Sequence, residues 1–360
     1  MSPRVLVAMS GGVDSSVAAA LLCEQGYDVI GVAMRLTPDD PPRAARRRAT
    51  CCSHDDFEDA RRVAELLDFP FYVVDLREDF RRRVIANFVG EYLNGRTPNP
   101  CVMCNREIKF DRLWQRAAAL QCAFVATGHY ARIERDGSGL FHLRRAADDT
   151  KDQSYFLFNL TQTELGRTLF PLGALRKSEV RARARALGLV NADKPESQEI
   201  CFVPEGDYGR FVERAAPAAL RPGPIVGEDG AVLGRHQGIH RFTIGQRRGL
   251  GVAAAEPLYV RAIDAATGAV EVAPLDRLTA RGLIADQVRL VRHLPTEFAA
   301  EIRIRYRHPG LPATVRLCAE GRAEVILDRP GPAITPGQAC VFYRGDEVLG
   351  GGLILQALRG

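Results

Sequence analysis

The run Ser10-Gly11-Gly12-Val13-Asp14-Ser15-Ser16 limits this chain's fold more than any other feature, because an apolar stretch (residues 5–9) precedes it and a helical pattern (residues 15–23) follows. Adjacent glycines let a chain turn without a Cβ clash and leave backbone N–H groups facing a ligand. A helix opening behind them contributes about half a positive charge, which suits a phosphate or pyrophosphate. Asp14 can cap that helix or hold Mg2+, and Ser15 and Ser16 add hydroxyl donors. The run is neither a Walker loop, whose lysine it lacks, nor the GxGxxG of dinucleotide sites. A plain capped strand–turn–helix junction is the bland alternative.

Strand and helix patterns then alternate: strands at 28–34, 71–74 and 122–127, helices at 55–67 and 80–93. Such alternation predicts an α/β domain with a parallel sheet, whose ligands sit at the carboxyl ends of the strands. After about Pro204, Gly and Pro become frequent and short strands replace helices, at 258–263, 269–272, 301–306, 313–317, 324–327 and 340–343. Those read as small β-barrel or sandwich units. A chain of 360 residues with 46% hydrophobic content has room for two or three such units. No stretch approaches the roughly 20 apolar residues of a membrane span, and the opening residues lack a signal-peptide cleavage site. A cytoplasmic protein with no membrane partner is expected.

The net charge of +5 is too small to indicate nucleic acid by itself. Arginines cluster at Arg43, Arg46, Arg47 and Arg48 and again at Arg81 to Arg83. Arg303, Arg305 and Arg307 alternate, which on a strand would make a basic ribbon. Solvated surface is the plain reading of each patch.

Nine cysteines, an odd number in a long chain, argue against a disulfide scaffold. Cys23, Cys122, Cys318 and Cys340 sit in apolar sequence and are expected in the core. Cys51, Cys52, Cys101, Cys104 and Cys201 lie in polar or turn-like sequence. Cys104 precedes a helical pattern, where a helix N-terminus with Arg106 and Lys109 would favour the thiolate. Cys201 stands just before the composition change, on a segment able to carry it to a site. Two separated cysteines suit persulfide chemistry, one carrying sulfur and the other resolving the linkage. Two other readings stay open: a 4Fe-4S cluster on Cys101, Cys104 and Cys201 with one open iron, and inert thiols.

SGGVDSS resembles the signature of the ATP pyrophosphatases of the adenine nucleotide α-hydrolase-like group. Together with Cys51-Cys52-Ser53, NPCVMCNREIKF, ATGHYAR, KDQSYFL, SQEICF and QRRGLG, the whole chain is similar to the family of tRNA-uridine 2-sulfurtransferases. The resemblance implies an ATP pyrophosphatase domain over 1–203, a small central domain over 204–273 and a C-terminal β-barrel over 274–360. It implies ATP and Mg2+ as reactants, the anticodon wobble uridine of tRNA as acceptor, and a cysteine desulfurase or sulfur-relay protein as persulfide donor. By that resemblance Cys104 is the nucleophile, Cys201 carries the persulfide, a disulfide bond is expected, and Asp14 serves catalysis. ATP would be held by Ala8, Met9, Ser10, Gly11, Gly12, Val13, Asp14, Ser15, Met34 and Gly128. Asn99, Pro100 and Cys101 would face the target base, and His129, Lys151, Asp152, Gln153, Arg305, Tyr306 and Gln338 would serve tRNA. The best-known members carry Asp where this chain has Cys101, which keeps the cluster reading open.

Taken as bare residues, several of these have structural alternatives. Met34 ends a strand and can pack on adenine or in the core. Gly128 ends another, where a missing side chain permits close approach of the nucleotide. His129 can satisfy a turn, Lys151 to Gln153 can start a helix, and Gln338 can be a turn residue. Arg305-Tyr306 offers a cation beside an aromatic surface. Two rival functions are an ATP-dependent amidating enzyme and a non-catalytic RNA-binding or iron-sensing protein.

Overall fold

The structure, a computed structural model, describes residues 2–37, 54–195, 200–203 and 206–359. The arginine cluster Arg43, Arg46, Arg47 and Arg48, Cys51, Cys52 and Ser197 to Glu199 lie outside those residues. The chain forms two compact units, one of residues 1–84, 101–206 and 346–348, the other of 85–100, 207–345 and 349–360.

The first unit is built on five parallel strands: β1 (Arg4–Ala8), β2 (Asp28–Arg35), β3 (Phe71–Asp75), β4 (Phe124–Thr127) and β7 (Thr168–Leu169). Their order is β3-β2-β1-β4-β7. Val5, Leu6 and Val7 are fully buried in the central strand, because α1 (Val13–Glu24) and other elements cover both faces. A strand covered on both sides needs an unbroken apolar run, and β1 has one. α2 (His54–Leu66) packs Ala60 and Val63 into the same core.

The helix expected at 80–93 is broken. A turn of helix (Arg77–Phe80) passes through a π-helical segment (Arg81–Ile85) into the helix Ala86–Leu93. The border between the units falls within that π segment. A hairpin of β5 (Ala131–Arg135) and β6 (Phe141–Arg145) was not foreseen, although Ala131 to Glu134 and Phe141 to Arg144 each alternate apolar and polar residues over four positions.

On β6 the His142 ring lies between two carboxylates, Asp136 at 2.9 Å and Glu347 at 2.8 Å. Asp136 first, then Glu347, raise its pKa above the ordinary value. A raised histidine stabilises fully below its unfolded pKa of about 6.5 and loses that contribution as pH climbs through the folded value. The thermal midpoint of the wild type is therefore expected to fall between about pH 6 and pH 8.5, and His142→Gln to flatten that slope. Melting curves at the two pH values check it.

The second unit holds a four-stranded sheet in the order β10-β11-β8-β9: β8 (Gly223–Val226), β9 (Val232–His236), β10 (Tyr259–Asp264) and β11 (Ala269–Ala273). Ile225, Phe242, Val260 and Val270 form its core. A barrel follows, of β12 (Thr279–Leu290), β13 (Glu297–Arg303), β14 (Leu311–Leu317), β15 (Ala323–Pro332), β16 (Ala339–Arg344) and β17 (Glu347–Leu358). The strands run β12-β15-β14-β13-β16-β17, and pairing of β12 with β17 closes the ring. Leu283, Ile302, Val315, Val325 and Phe342 fill it. The α/β class, the small central β unit and the terminal barrel are thus as expected.

The basic ribbon is not formed. β13 ends at Arg303, and Arg305 and Arg307 fall in the turn before β14, where Gly310 adopts a φ of +110°. Arg303 instead lies over the Tyr343 ring, 5.0 Å from its centre. Cys318 is a second correction: it sits exposed just past the end of β14, whereas Cys122 and Cys340 are buried and Cys23 is half-buried. Among the described residues no helix is long and apolar enough to cross a membrane.

Candidate active site

β1 is the point where the sheet changes direction, since β2 lies on one side of it and β4 on the other. In open parallel sheets the crevice beyond such a switch point receives the ligand. The glycine turn leaves β1 there. Gly11 has a φ of +71°, and a Cβ on it would lie 2.2 Å from the Asp56 carbonyl oxygen. Gly12 caps α1 without any side-chain oxygen.

The three polar side chains after the glycines are held by partners within the protein. Asp14 does not cap the helix. Its carboxylate accepts from the Tyr130 hydroxyl at 2.7 Å and from the Lys177 ammonium at 2.7 and 2.8 Å. The Ser15 and Ser16 hydroxyls are buried and donate back to the Gly12 carbonyl at 3.0 and 3.1 Å, so they brace the turn rather than offer donors to a ligand. Asn191 donates to the Gly11 carbonyl at 3.0 Å and Lys194 does so at 3.3 Å. Lys194 also binds Asp56 and Asp59, at 2.7 and 2.6 Å. Burial alone would lower the Lys194 pKa, but the two carboxylates outweigh it and raise the value. With its carbonyls tied back, the turn keeps its N–H face for an anion.

Gly128 serves this turn from β4. A Cβ there would lie 2.7 Å from the Ser15 nitrogen, so the missing side chain makes room for the loop itself. Met34 and Ala8 pack half-buried on the Leu6 and Val32 core. Met9 and Val13 are buried, while Ser10 is exposed.

His129 hydrogen-bonds Thr127 at 2.6 Å and packs against Phe110 and Phe170, with ring centres 6.3 and 6.0 Å away. Burial there, helped by the Lys109 charge, pushes its pKa well down and keeps the ring neutral. Asp152 is buried and accepts from Ala146, Ser154 and the Ser154 hydroxyl. Gln153 accepts from the Tyr130 N–H at 3.0 Å and donates its own N–H to the Tyr130 carbonyl at 2.8 Å. Gln153 thus clamps Tyr130, the residue that meets Asp14, and a short helical turn (Ser154–Phe156) begins after it. Lys151 is half-buried.

Cys104 is buried at the end of the short helix Pro100–Cys104, and a π-helical segment (Asn105–Phe110) continues it. Helical structure therefore starts one turn before Cys104, and the N-terminal dipole favours the exposed Cys101 instead. Arg106 does not simply reinforce a thiolate either, because it pairs with Glu107 at 2.8 Å. Glu107 also takes Arg83 at 3.0 Å, and Arg83 lies three residues past Phe80. Phe80 meets the ring of Phe202 edge-on at 5.6 Å, next to the half-buried Cys201. One chain of contacts thus runs from beside Cys201 to one turn past Cys104. Among the described residues no three His, Cys, Asp or Glu side chains are gathered to hold a metal ion. Cys101, Cys104 and Cys201 as arranged here do not fit a 4Fe-4S cluster.

In the second unit the segment leading to Asn99 and Pro100 is held from two sides. Gln338 donates to the carbonyls of Thr97 and Pro98 at 2.9 and 3.3 Å. Gly337, at a φ of +91°, leaves space for Thr97, and the Thr243 hydroxyl meets that of Thr97 at 3.2 Å. Gln338→Ala is expected to cost about 1–2 kcal/mol and to speed amide exchange across 95–100. Denaturant melts and hydrogen-exchange mass spectrometry check both. Arg305 is exposed and Tyr306 half-buried on the turn after β13.

Sequence reasoning missed Tyr130, Lys177, Asn191 and Lys194. Tyr130 lies inside the ATGHYAR run and carried a signal; a lysine at a helix start and two residues in a loop did not.

A parallel sheet whose first strand turns through two glycines into a helix, at the switch point, defines a nucleotide-binding α/β protein with two appended β units. Residues 3–205 match the family model described as tRNA methyl transferase HUP domain. Residues 209–274 match the tRNA methyl transferase PRC-barrel domain, and 280–354 the aminomethyltransferase beta-barrel domain. The chain is 54% identical to the tRNA-specific 2-thiouridylase MnmA of Geobacter metallireducens, across 99% of this chain and 97% of that one. It is 52% identical to the protein of that name from Geotalea uraniireducens, across 99% and 96%. The chain belongs to the MnmA family of tRNA-specific 2-thiouridylases.

Proposed function

We propose that this protein is a tRNA-uridine 2-sulfurtransferase that uses ATP to replace the C2 oxygen of the wobble uridine with sulfur. The observation that carries the reading is the full-length identity with proteins of that name, in a chain whose glycine turn presents an anion-binding face and whose NPCVMC and EICF runs carry two cysteines. An amidating enzyme would leave Cys104 and Cys201 without a task.

The uridine must leave its stack, because its C2 edge is unreachable within a stacked anticodon. Lys151, Arg305 and Tyr306 supply charge and a ring for that RNA, and Asn99, Pro100 and Cys101 face the base. The phosphates of ATP lie on the N–H face of the turn at 10–15, and Asp14 is the carboxylate that would hold Mg2+, which neutralises phosphate charge. The uridine O2 attacks the α-phosphorus and pyrophosphate leaves. A poor leaving group, an amide-like oxygen, has become AMP. The terminal sulfur of a Cys201 persulfide then bonds to C2 and AMP departs. The Cys104 thiolate attacks the Cys201 sulfur, freeing 2-thiouridine and leaving a Cys104–Cys201 disulfide that an external thiol reduces. No step runs through an iron–sulfur cluster. A cysteine desulfurase or a relay protein loads Cys201. Residues 1–203 carry the chemistry, and 204–273 and 274–360 are the two accessory domains.

The test is purified protein with tRNA, ATP-Mg and a persulfide-generating desulfurase, followed by nucleoside analysis. Formation of 2-thiouridine supports the reading; its absence with loaded wild-type protein sinks it.

A further inference from the structure

We infer, resting on the reading that ATP binds at the glycine turn, that Lys177 is a phosphate-binding residue whose ammonium passes from Asp14 to the β- and γ-phosphates when the nucleotide arrives. Lys177 is the first residue of the helix Lys177–Ala186. A cation there opposes the helix dipole, so local stability does not account for it. Glu179 and Asp148 meet that helix end's needs instead, accepting from the N–H groups of Arg176 and Lys177. The side chain runs across to α1 and puts Nζ within 2.8 Å of both Asp14 oxygens, two residues past the glycine turn.

The surroundings aim it. The Lys177 side chain is only 11% exposed, and its ammonium lies 5.7 Å from the centre of the Tyr130 ring. A desolvated ion pair gains little net stability, so its replacement by a phosphate contact is not opposed by a large preference for the pair. Asp14 keeps the Tyr130 hydroxyl when the ammonium moves. Lys194, the other lysine at the turn, cannot take this part, because it holds the Gly11 carbonyl together with Asp56 and Asp59.

The experiment compares binding of α,β-methylene ATP and of AMP to the full chain and to Lys177→Met. AMP lacks the two phosphates that Lys177 would hold. The inference expects α,β-methylene ATP to bind at least about tenfold more weakly to the variant, with AMP affinity within about twofold of wild type. Lys177→Arg should recover part of the loss. Equal weakening of both nucleotides, or no weakening of either, overturns it. Should Lys177→Met fail to fold, Lys177→Gln, whose neutral amide can still hydrogen-bond the Asp14 carboxylate, carries the same test, and the same selective loss is expected. If wild-type protein does not bind α,β-methylene ATP at all, the ATP reading itself fails, and this inference with it.

Discussion

Cys104→Ala is expected to lower 2-thiouridine formation by at least about a thousandfold, because it removes the thiol that resolves the disulfide joining Cys201 to the tRNA. The fold should survive: a buried cysteine fills little more space than alanine, and the change is expected to cost about 1 kcal/mol. The chemistry also says where the reaction stops. Adenylation does not use Cys104, so one equivalent of AMP should still be released when the persulfide sulfur bonds to C2. The tRNA is then left joined to Cys201 through a disulfide. A gel run without reductant should show a protein–tRNA adduct that dithiothreitol removes. Undiminished thiolation in this variant would contradict the assignment.

Gly11→Ala is the second large effect, and it reads the nucleotide turn rather than the thiols. A methyl group there would need to occupy space 2.2 Å from the Asp56 carbonyl oxygen, at a φ of +71°. Backbone cannot yield as a side-chain tip does, and the Gly11 carbonyl is pinned by Asn191 and Lys194. A loss of about 2–4 kcal/mol of stability is expected, with nucleotide binding reduced by about a hundredfold or more. Gly12→Ala is the control. Its Cβ would meet only the Ser10 hydroxyl at 3.4 Å, and Gly12 has a negative φ. Neighbouring glycines should thus differ sharply in melting temperature, and equal effects would show that the turn is not built this way.

Much of this architecture was legible because local rules and global fold agree. Val5 to Val7 read as a buried strand and the two glycines as a turn, so the glycine turn's place at the carboxyl end of a strand was readable in the sequence, while the switch point follows from the strand order. Periodicity failed where context overrides it. Arg303, Arg305 and Arg307 alternate like a strand, yet the chain turns after Arg303 to reach β14. Residues 80–93 read as one helix, but they bridge two units and pass through a π segment. The polar groups at the glycine turn were misread for another reason. Spacing places Asp14, Ser15 and Ser16 at a helix start, but partners distant in sequence decide where they point. Lys177 is 163 residues from Asp14, and Asn191 is 175 from Ser16. Nothing in a one-dimensional pattern announces such pairs.

The most direct measurement follows one oxygen atom. If the wobble uridine is activated as its adenylate, a tRNA carrying oxygen-18 at C2 of that base must deliver the label to AMP as sulfur takes its place. Mass spectrometry of the AMP from a single turnover is expected to show one oxygen-18 for each 2-thiouridine formed. Unlabelled AMP alongside normal 2-thiouridine would mean that ATP cleavage and the loss of the oxygen are separate events, and the proposed mechanism would be wrong.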